Sequence, residues 1–211
     1  VYQPALELGG DFFDFHRYED ATTWVVADVS GKGVPAALVV SLLKGLCKTL
    51  YPRRLGPREL ILELDRLVRG ELPDAMFLTI MVLRAGDDGS LVAAGVGHPP
   101  AMVVHGDGTV DELAATPGML GVWPAETLAA ELAERCATMA PGDRVLLFTD
   151  GLNEATAPDG GQYGCERLRA GLAACRALPP AHGLSQLLAG VSAFVAGGSW
   201  SDDVTMVLGA R

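Results

Sequence analysis

Four aspartates carry the chemical interest of this chain: Asp11, Asp28, Asp150 and Asp202. Each stands at the edge of a strongly apolar, β-forming run. Side chains at i and i+2 of a strand share a face. Asp11 is therefore in phase with Phe13 and Phe15, Asp28 with Trp24 and Val26, Asp150 with Leu146 and Phe148, and Asp202 with Val204, Met206 and Leu208. An uncompensated carboxylate against an apolar face is costly, and several together also repel one another. Lys32, four residues on, is the nearest cation to Asp28; Asp150 and Asp202 have none so near. Hard divalent cations such as Mg²⁺ or Mn²⁺ would relieve the conflict, because they take carboxylate and carbonyl oxygens. Glycines accompany the acids: Gly9-Gly10 before Asp11, Gly31 and Gly33 after Asp28, Gly151 after Asp150. Glycine allows the tight turns and close backbone approach that a ligand site needs. One Asp-Gly at a strand end is an ordinary turn; the argument rests on four acids in matching contexts.

Other chemistries fail on spacing. Ser30-Gly31-Lys32-Gly33 departs from a P-loop, which needs glycine where Val26 stands and Ser or Thr where Gly33 stands. Gly95-Val96-Gly97 lacks the third glycine and the helix of a dinucleotide fingerprint. Around Asp150 an aspartyl-phosphate loop would want a second acid at Leu152. There is no Gly-x-Ser-x-Gly elbow. His98, in Gly97-His98-Pro99-Pro100, is isolated and fits a structural role.

The elements that must hold the acids follow from the pattern around them. Residues 8–15 and 24–28 have strand character. A glycine loop over 29–33 leads into a helix with Pro35 in its first turn, Leu38, Leu42, Leu46 and Leu50 at helical spacing, and Pro52 at its end. A second helix starts near Pro57, with Leu60, Ile61, Leu64, Leu67 and Val68 as its stripe. Short strands are expected over 76–83, 91–96, 101–105 and 109–113. Residues 128–139 fit strand or helix equally. Residues 144–149 give the strongest strand signal, helices follow near 165–175 and 181–196, and 204–208 is a last strand. Strands from both ends and the middle, with paired helices between them, predict a two-layer β core flanked by helices.

Composition bounds the function. The 211 residues are 49% apolar and 20% charged, ordinary for a globular chain, and long enough to bury about 70% of the unfolded surface without a disulfide. Sixteen basic against 26 acidic residues give a net charge of −10, which argues against nucleic acid and anionic lipid as partners. Cys47, Cys136, Cys165 and Cys175 include no CxxC pair, so a cytoplasmic chain with reduced thiols is the simplest expectation. The longest stretch without a charged residue, 177–201, is broken by prolines and glycines and does not fit a membrane span. The chain opens on Val1, and a single domain over 1–211, as part of a longer protein with an N-terminal sensor or regulatory region, is the expectation.

The motifs Gly9-Gly10-Asp11-Phe12-Phe13-Asp14, Asp28-Val29-Ser30-Gly31-Lys32-Gly33-Val34-Pro35-Ala36-Ala37, Gly97-His98-Pro99-Pro100, Thr149-Asp150-Gly151-Leu152-Asn153-Glu154-Ala155 and Ser201-Asp202-Asp203-Val204-Thr205 occur in this order over nearly the whole chain. Together they resemble the metal-dependent protein serine/threonine phosphatases of type 2C, in their bacterial SpoIIE/RsbU-like branch. The resemblance implies an α+β fold, a four-layer α-β-β-α sandwich of two central, mainly antiparallel sheets with a dinuclear Mn²⁺ or Mg²⁺ site between them. It implies hydrolysis of phosphoserine or phosphothreonine on a partner protein, for this branch a small anti-anti-sigma-factor-like protein of a partner-switching pathway, with homodimerisation an option for the full-length protein. Carried over by position, Asp28 would bridge two ions, Asp150 and Asp202 would hold the first, and Asp11 with the Val29 carbonyl the second; Asp203 is the weaker acid of its pair. The sequence departs from many type 2C enzymes at Ser30, where they have a histidine proposed as general acid, and at Leu6 and Glu7, near the place of a phosphate-binding arginine. Lys32 is left as a possible phosphate contact. A catalytically silent interaction module of the same fold and a small-molecule phosphoester hydrolase are the competing readings.

Overall fold

The computed structural model describes the chain except residues 5, 6, 74, 198, 199 and 201. Leu6 and Ser201, both named above, thus lie outside the described residues. In chain order the elements are β1 (Tyr2–Gln3), β2 (Asp11–Arg17), β3 (Ala21–Val29), α1 (Val34–Leu50), a 3₁₀ turn (Tyr51–Arg53), α2 (Pro57–Val68), β4 (Leu78–Gly86), β5 (Ser90–Val96), β6 (Ala101–Val104), β7 (Val110–Leu113), α3 (Ala125–Glu131), β8 (Glu134–Thr138), β9 (Arg144–Phe148), α4 (Asp150–Asn153), α5 (Gly164–Cys175), α6 (Pro180–Val195) and β10 (Val204–Ala210). The segment that fitted helix or strand equally is both: α3, then β8.

The strands form two five-stranded sheets. One has the order β2-β3-β4-β5-β8 and the other β1-β10-β9-β6-β7, and every pairing within them is antiparallel. Alternation along each strand sorts side chains into three apolar layers. On β3, Val25, Ala27 and Val29 face α1 and α2, meeting Val39, Leu43, Cys47, Leu60, Ile61 and Leu64. Val26 faces the other way, into a layer between the sheets with Met81, Leu83, Leu91, Val103, Val145 and Leu147. Leu146 and Phe148 of β9 turn outward to Leu168 and Leu172 of α5 and Leu187 and Val191 of α6. The result is a four-layer α-β-β-α sandwich.

Helix α1 with the turn that follows it, Val34–Arg53, is long and apolar enough by composition to cross a membrane. Its Ala36, Val39, Leu43, Cys47 and Leu50 stripe nevertheless packs into the protein's own core, which accounts for that apolarity without a bilayer.

Candidate metal centre

The inter-sheet layer ends in oxygen atoms. Asp11 opens β2 and Asp28 is the last residue but one of β3, and the antiparallel register sets them directly opposite each other. Side chains so paired stand about 5 Å apart at Cβ, where like charges repel. Both have the parity that faces the inter-sheet layer, as the alternation anticipated, although Phe13 and Phe15, in phase with Asp11, are exposed because β2 is an edge strand.

The alternation does not carry to the other two acids. Asp150 begins the short helix α4, with Thr149 as the residue before it. Asp202 lies in a bend ahead of β10. What brings them together is Gly151. A Cβ there would fall 2.0 Å from the Asp203 carbonyl oxygen and 3.3 Å from the Asp202 Cβ, so a side chain would push the 202–203 bend away from α4.

The acids act on one another. Burial, above all, pushes the Asp28 carboxyl up to about 7, and the charges of Asp150, Asp11, Asp202 and Asp203 add to the rise. Asp11 is also pushed up to about 7, first by burial; two threonine hydroxyls pull it down, while Asp203 and Asp150 push it up further. The Asp150 carboxyl is raised by burial and then by Glu154 and Asp202. Asp11 Oδ2 accepts hydrogen bonds from Thr149 Oγ1 and Thr205 Oγ1, both at 2.7 Å. Asp203, the weaker acid of its pair on sequence grounds, is buried and accepts the Gly10 N–H at 2.6 Å. Asp202 Oδ1 pairs with Lys32 Nζ at 3.1 Å and accepts the Asp203 N–H at 2.9 Å. Lys32 is therefore at the site, against an acid rather than turned away into solvent.

Val29 is buried, and its N–H donates to the Gly10 carbonyl at 3.1 Å. A Cβ on residue 10 would come within 2.5 Å of the Val29 carbonyl oxygen; glycine leaves that oxygen uncovered. Ser30 does not face a reacting group in this arrangement. Its N–H donates to the Phe77 carbonyl and its hydroxyl accepts the Phe77 N–H, both at 2.9 Å, which pins the 29–33 loop to the segment before β4. His98 is buried, with Nδ1 2.8 Å from Thr79 Oγ1. Desolvation lowers its pKa to about 3; the Phe148 backbone opposes that shift without reaching hydrogen-bond geometry to Nε2. His98 is thus a neutral core histidine, in line with the structural role expected from the sequence.

Among the described residues, no three His, Cys, Asp or Glu side chains stand at closed metal-ligand spacing. The carboxylates instead take hydroxyls, backbone N–H groups and Lys32 as partners. Their chemistry still fits a hard cation: an oxygen-only donor set, a backbone carbonyl uncovered by glycine, and carboxyls of Asp11, Asp28 and Asp150 whose charged forms are disfavoured by burial and by neighbouring acids. Beside the site an apolar groove of about 560 Å³ runs between α1 and β2 and opens onto Asp11, with Leu8, Phe12, Phe13, Ala37 and Val40 in its walls.

Sequence reasoning had not singled out Thr149 and Thr205. The available signal was their place beside the acids, Thr149 one residue before Asp150 and Thr205 two after Asp203.

The profile of the family described as Stage II sporulation protein E (SpoIIE) matches residues 19–211. Phosphoserine phosphatase RsbU of Bacillus subtilis is 28% identical over 159 residues, covering 74% of this chain and 46% of RsbU. Protein IcfG of Synechocystis is 25% identical over 199 residues, 80% of this chain and 30% of that protein. The chain thus spans less than half the length of these relatives. The SiaA-PP2C domain of Pseudomonas aeruginosa superposes with a TM-score of 0.88 at 22% identity, over 100% of this chain and 84% of that one. The RsbU and RsbW domains of a Mycobacterium tuberculosis protein superpose at 0.80 with 26% identity, over 98% and 57%. The fold also extends to the catalytic domain of the serine/threonine phosphatase PstP in complex with two manganese ions, at a TM-score of 0.62 and 14% identity over 99% and 87%.

Proposed function

Because the chain belongs to the SpoIIE family, we propose that it is a divalent-metal-dependent phosphatase that removes phosphate from phosphoserine or phosphothreonine on a partner protein. The observation that carries this reading is the gathering of Asp11, Asp28, Asp150 and Asp202 at one end of the inter-sheet layer, where burial and neighbouring acids drive the carboxyl pKa values of Asp11, Asp28 and Asp150 upward. In this reading Asp28 would serve both of two Mn²⁺ or Mg²⁺ ions, Asp150 and Asp202 would hold the first, and Asp11 with the Val29 carbonyl would hold the second. Two such ions, when bound, supply an acidified water as nucleophile and neutralise charge on the phosphoryl oxygens.

The chain's own residues do the rest. Asp28, opposite Asp11 in the β-ladder, fixes the spacing of the donor set. The buried environment strengthens every charge interaction inside it. Lys32 is held at the rim by Asp202, which puts its ammonium group beside the acids, where it could meet a phosphoryl oxygen. Ser30 Oγ accepts the Phe77 N–H, which ties that side chain to the segment before β4. The apolar groove beside Asp11 is a place for the polypeptide that flanks the phosphorylated residue. The phosphoserine phosphatase named among the relatives supports a phosphoprotein substrate, and the RsbU–RsbW pairing in one neighbour supports a partner-switching role with an anti-anti-sigma-factor-like protein.

The test is hydrolysis of a phosphoserine protein in EDTA, Mg²⁺ or Mn²⁺, with Asp28→Asn and Asp150→Asn beside the wild type. Changing a residue behind a metal ligand costs 10–100-fold in activity, so loss of a ligand should cost on the order of 100-fold or more. Metal-independent turnover, or turnover retained in both folded variants, would overturn the assignment.

A further inference from the structure

We propose that Thr149 and Thr205 are positioning residues that clamp Asp11, holding one carboxylate oxygen so that the other is presented to a divalent cation. The inference rests on the metal reading above.

The geometry is specific. Both hydroxyls reach the same oxygen, Asp11 Oδ2, at 2.7 Å. Each hydroxyl has a single proton to donate, and the Thr149 oxygen additionally accepts the Thr205 N–H at 2.9 Å, which fixes its rotor. Thr149 and Thr205 both have 0% exposure, so water does not compete. A carboxylate oxygen has about two lone-pair sites. The two hydroxyls fill those of Oδ2, and Oδ1 remains as the ligand oxygen. Asp11 is thereby committed to a one-oxygen contact.

The clamp also spans the sandwich. Asp11 belongs to the sheet under α1 and α2, whereas Thr149 directly follows β9 and Thr205 lies on β10, both strands of the opposite sheet. Thr149 N–H donates to the Thr205 carbonyl at 3.1 Å, so the two threonines form one unit. That unit adjoins Asp150 on one side and the Asp202–Asp203 bend on the other. The acids assigned to one ion are therefore tied to the acid assigned to the other by buried, charge-assisted hydrogen bonds, and the occupancy of one position should be felt at the second.

The measurement is Mn²⁺ binding by titration calorimetry, with thermal melts on the same samples. Wild type, Thr149→Val, Thr205→Val, Thr149→Ser and Thr205→Ser are compared. Outer-sphere partners of metal ligands are worth 10–100-fold in affinity. The valine variants should lose about that factor at one of two sites, and the serine variants, which keep the hydroxyl, should bind within about 3-fold of wild type. In an Asp11→Ala background, adding Thr205→Val should change Mn²⁺ affinity no further, because the hydroxyl then has nothing to hold. If the valine variants do not fold, the alanine variants at both positions replace them in the same cycle. Valine variants that bind like wild type overturn the clamp. So do serine variants as weak as valine, or a further loss in the Asp11→Ala background, since these point to packing alone. A wild-type protein that binds no Mn²⁺ overturns the metal reading itself, and that result is visible before any threonine is changed.

Discussion

Asp143 and His105 show how single charges shape stability outside the candidate centre. Asp143 Oδ2 meets His105 Nδ1 at 2.8 Å and accepts the Ala140 N–H at 2.9 Å, while Oδ1 accepts the Gly106 N–H at 3.0 Å. His105 Nε2 faces Asp111 at 3.1 Å, and Asp107 is near enough to feel the ring's charge. Hydrogen bonds to Asp143 and then Asp111 raise the His105 pKa above its usual 6.5. Burial works against the Asp143 charge, but His105 and the two amides outweigh it and hold the carboxyl below its usual 3.8. A raised histidine stabilises the fold fully below its unfolded pKa and loses that contribution as pH rises through the folded value. A lowered aspartate contributes above its unfolded pKa and loses it as pH falls through the folded value. Both contributions are present between about pH 4 and 6.5. His105→Gln should therefore lower Tm more at about pH 5.5 than at about pH 9; melts showing an equal loss at both would mean that the charge pair carries none of the effect.

Helix α1 separates what periodicity can locate from what it cannot orient. Leu38, Leu42, Leu46 and Leu50 mark the helix, but its buried stripe is Ala36, Val39, Leu43, Cys47 and Leu50. Leu38 is 65% exposed. The helix is apolar on most of its circumference, so spacing alone allowed more than one choice of face, and packing against β2, β3 and α2 made the choice. Leu43→Ala should cost about 2–5 kcal/mol by leaving a cavity among Val25, Ile80 and Ile61. Leu38→Ala should stay within about 0.5 kcal/mol. Urea unfolding of both variants checks the orientation, and a reversed order of cost would refute it. Strand β2 makes a similar point: Asp14 turns to the helix face, where it meets Lys44 at 2.7 Å and Lys48 at 3.5 Å on α1, a pairing across 30 residues that neighbouring sequence does not announce.

Taken over the whole sandwich, the candidate centre is a place where the protein gathers negative charge in excess of its partners. A ligand that binds the folded state alone adds stability by mass action, about 2.7 kcal/mol at 100 times its dissociation constant. For a chain of this size that corresponds to a rise in Tm of roughly 5–10 °C. Saturating Mn²⁺ should give a shift of this order, EDTA should reverse it, and Asp28→Asn should abolish it. An unchanged melt on adding Mn²⁺ to wild type would remove the centre from the folding equilibrium.

Composition and local pattern determined the class of the answer: a globular acidic chain, its longer strands and helices to within a few residues but not β1, α4 or the split of 128–139 into α3 and β8, and Asp11, Asp28, Asp150 and Asp202 as the acids to watch. Those features are legible because they depend on near neighbours, through alternation, helical spacing, proline and glycine. Partnerships between distant residues were decided by the tertiary structure. The Asp11–Asp28 register, the approach of the 202–203 bend to Gly151, the Lys32–Asp202 pair and the two threonines on Asp11 each join segments that come together only when two sheets pack face to face. Strand phase held for Asp11 and Asp28, which sit on strands, and failed for Asp150 and Asp202, where the chain has already turned into a helix and a bend. A period of two describes a strand, and it ends where the backbone leaves the ladder.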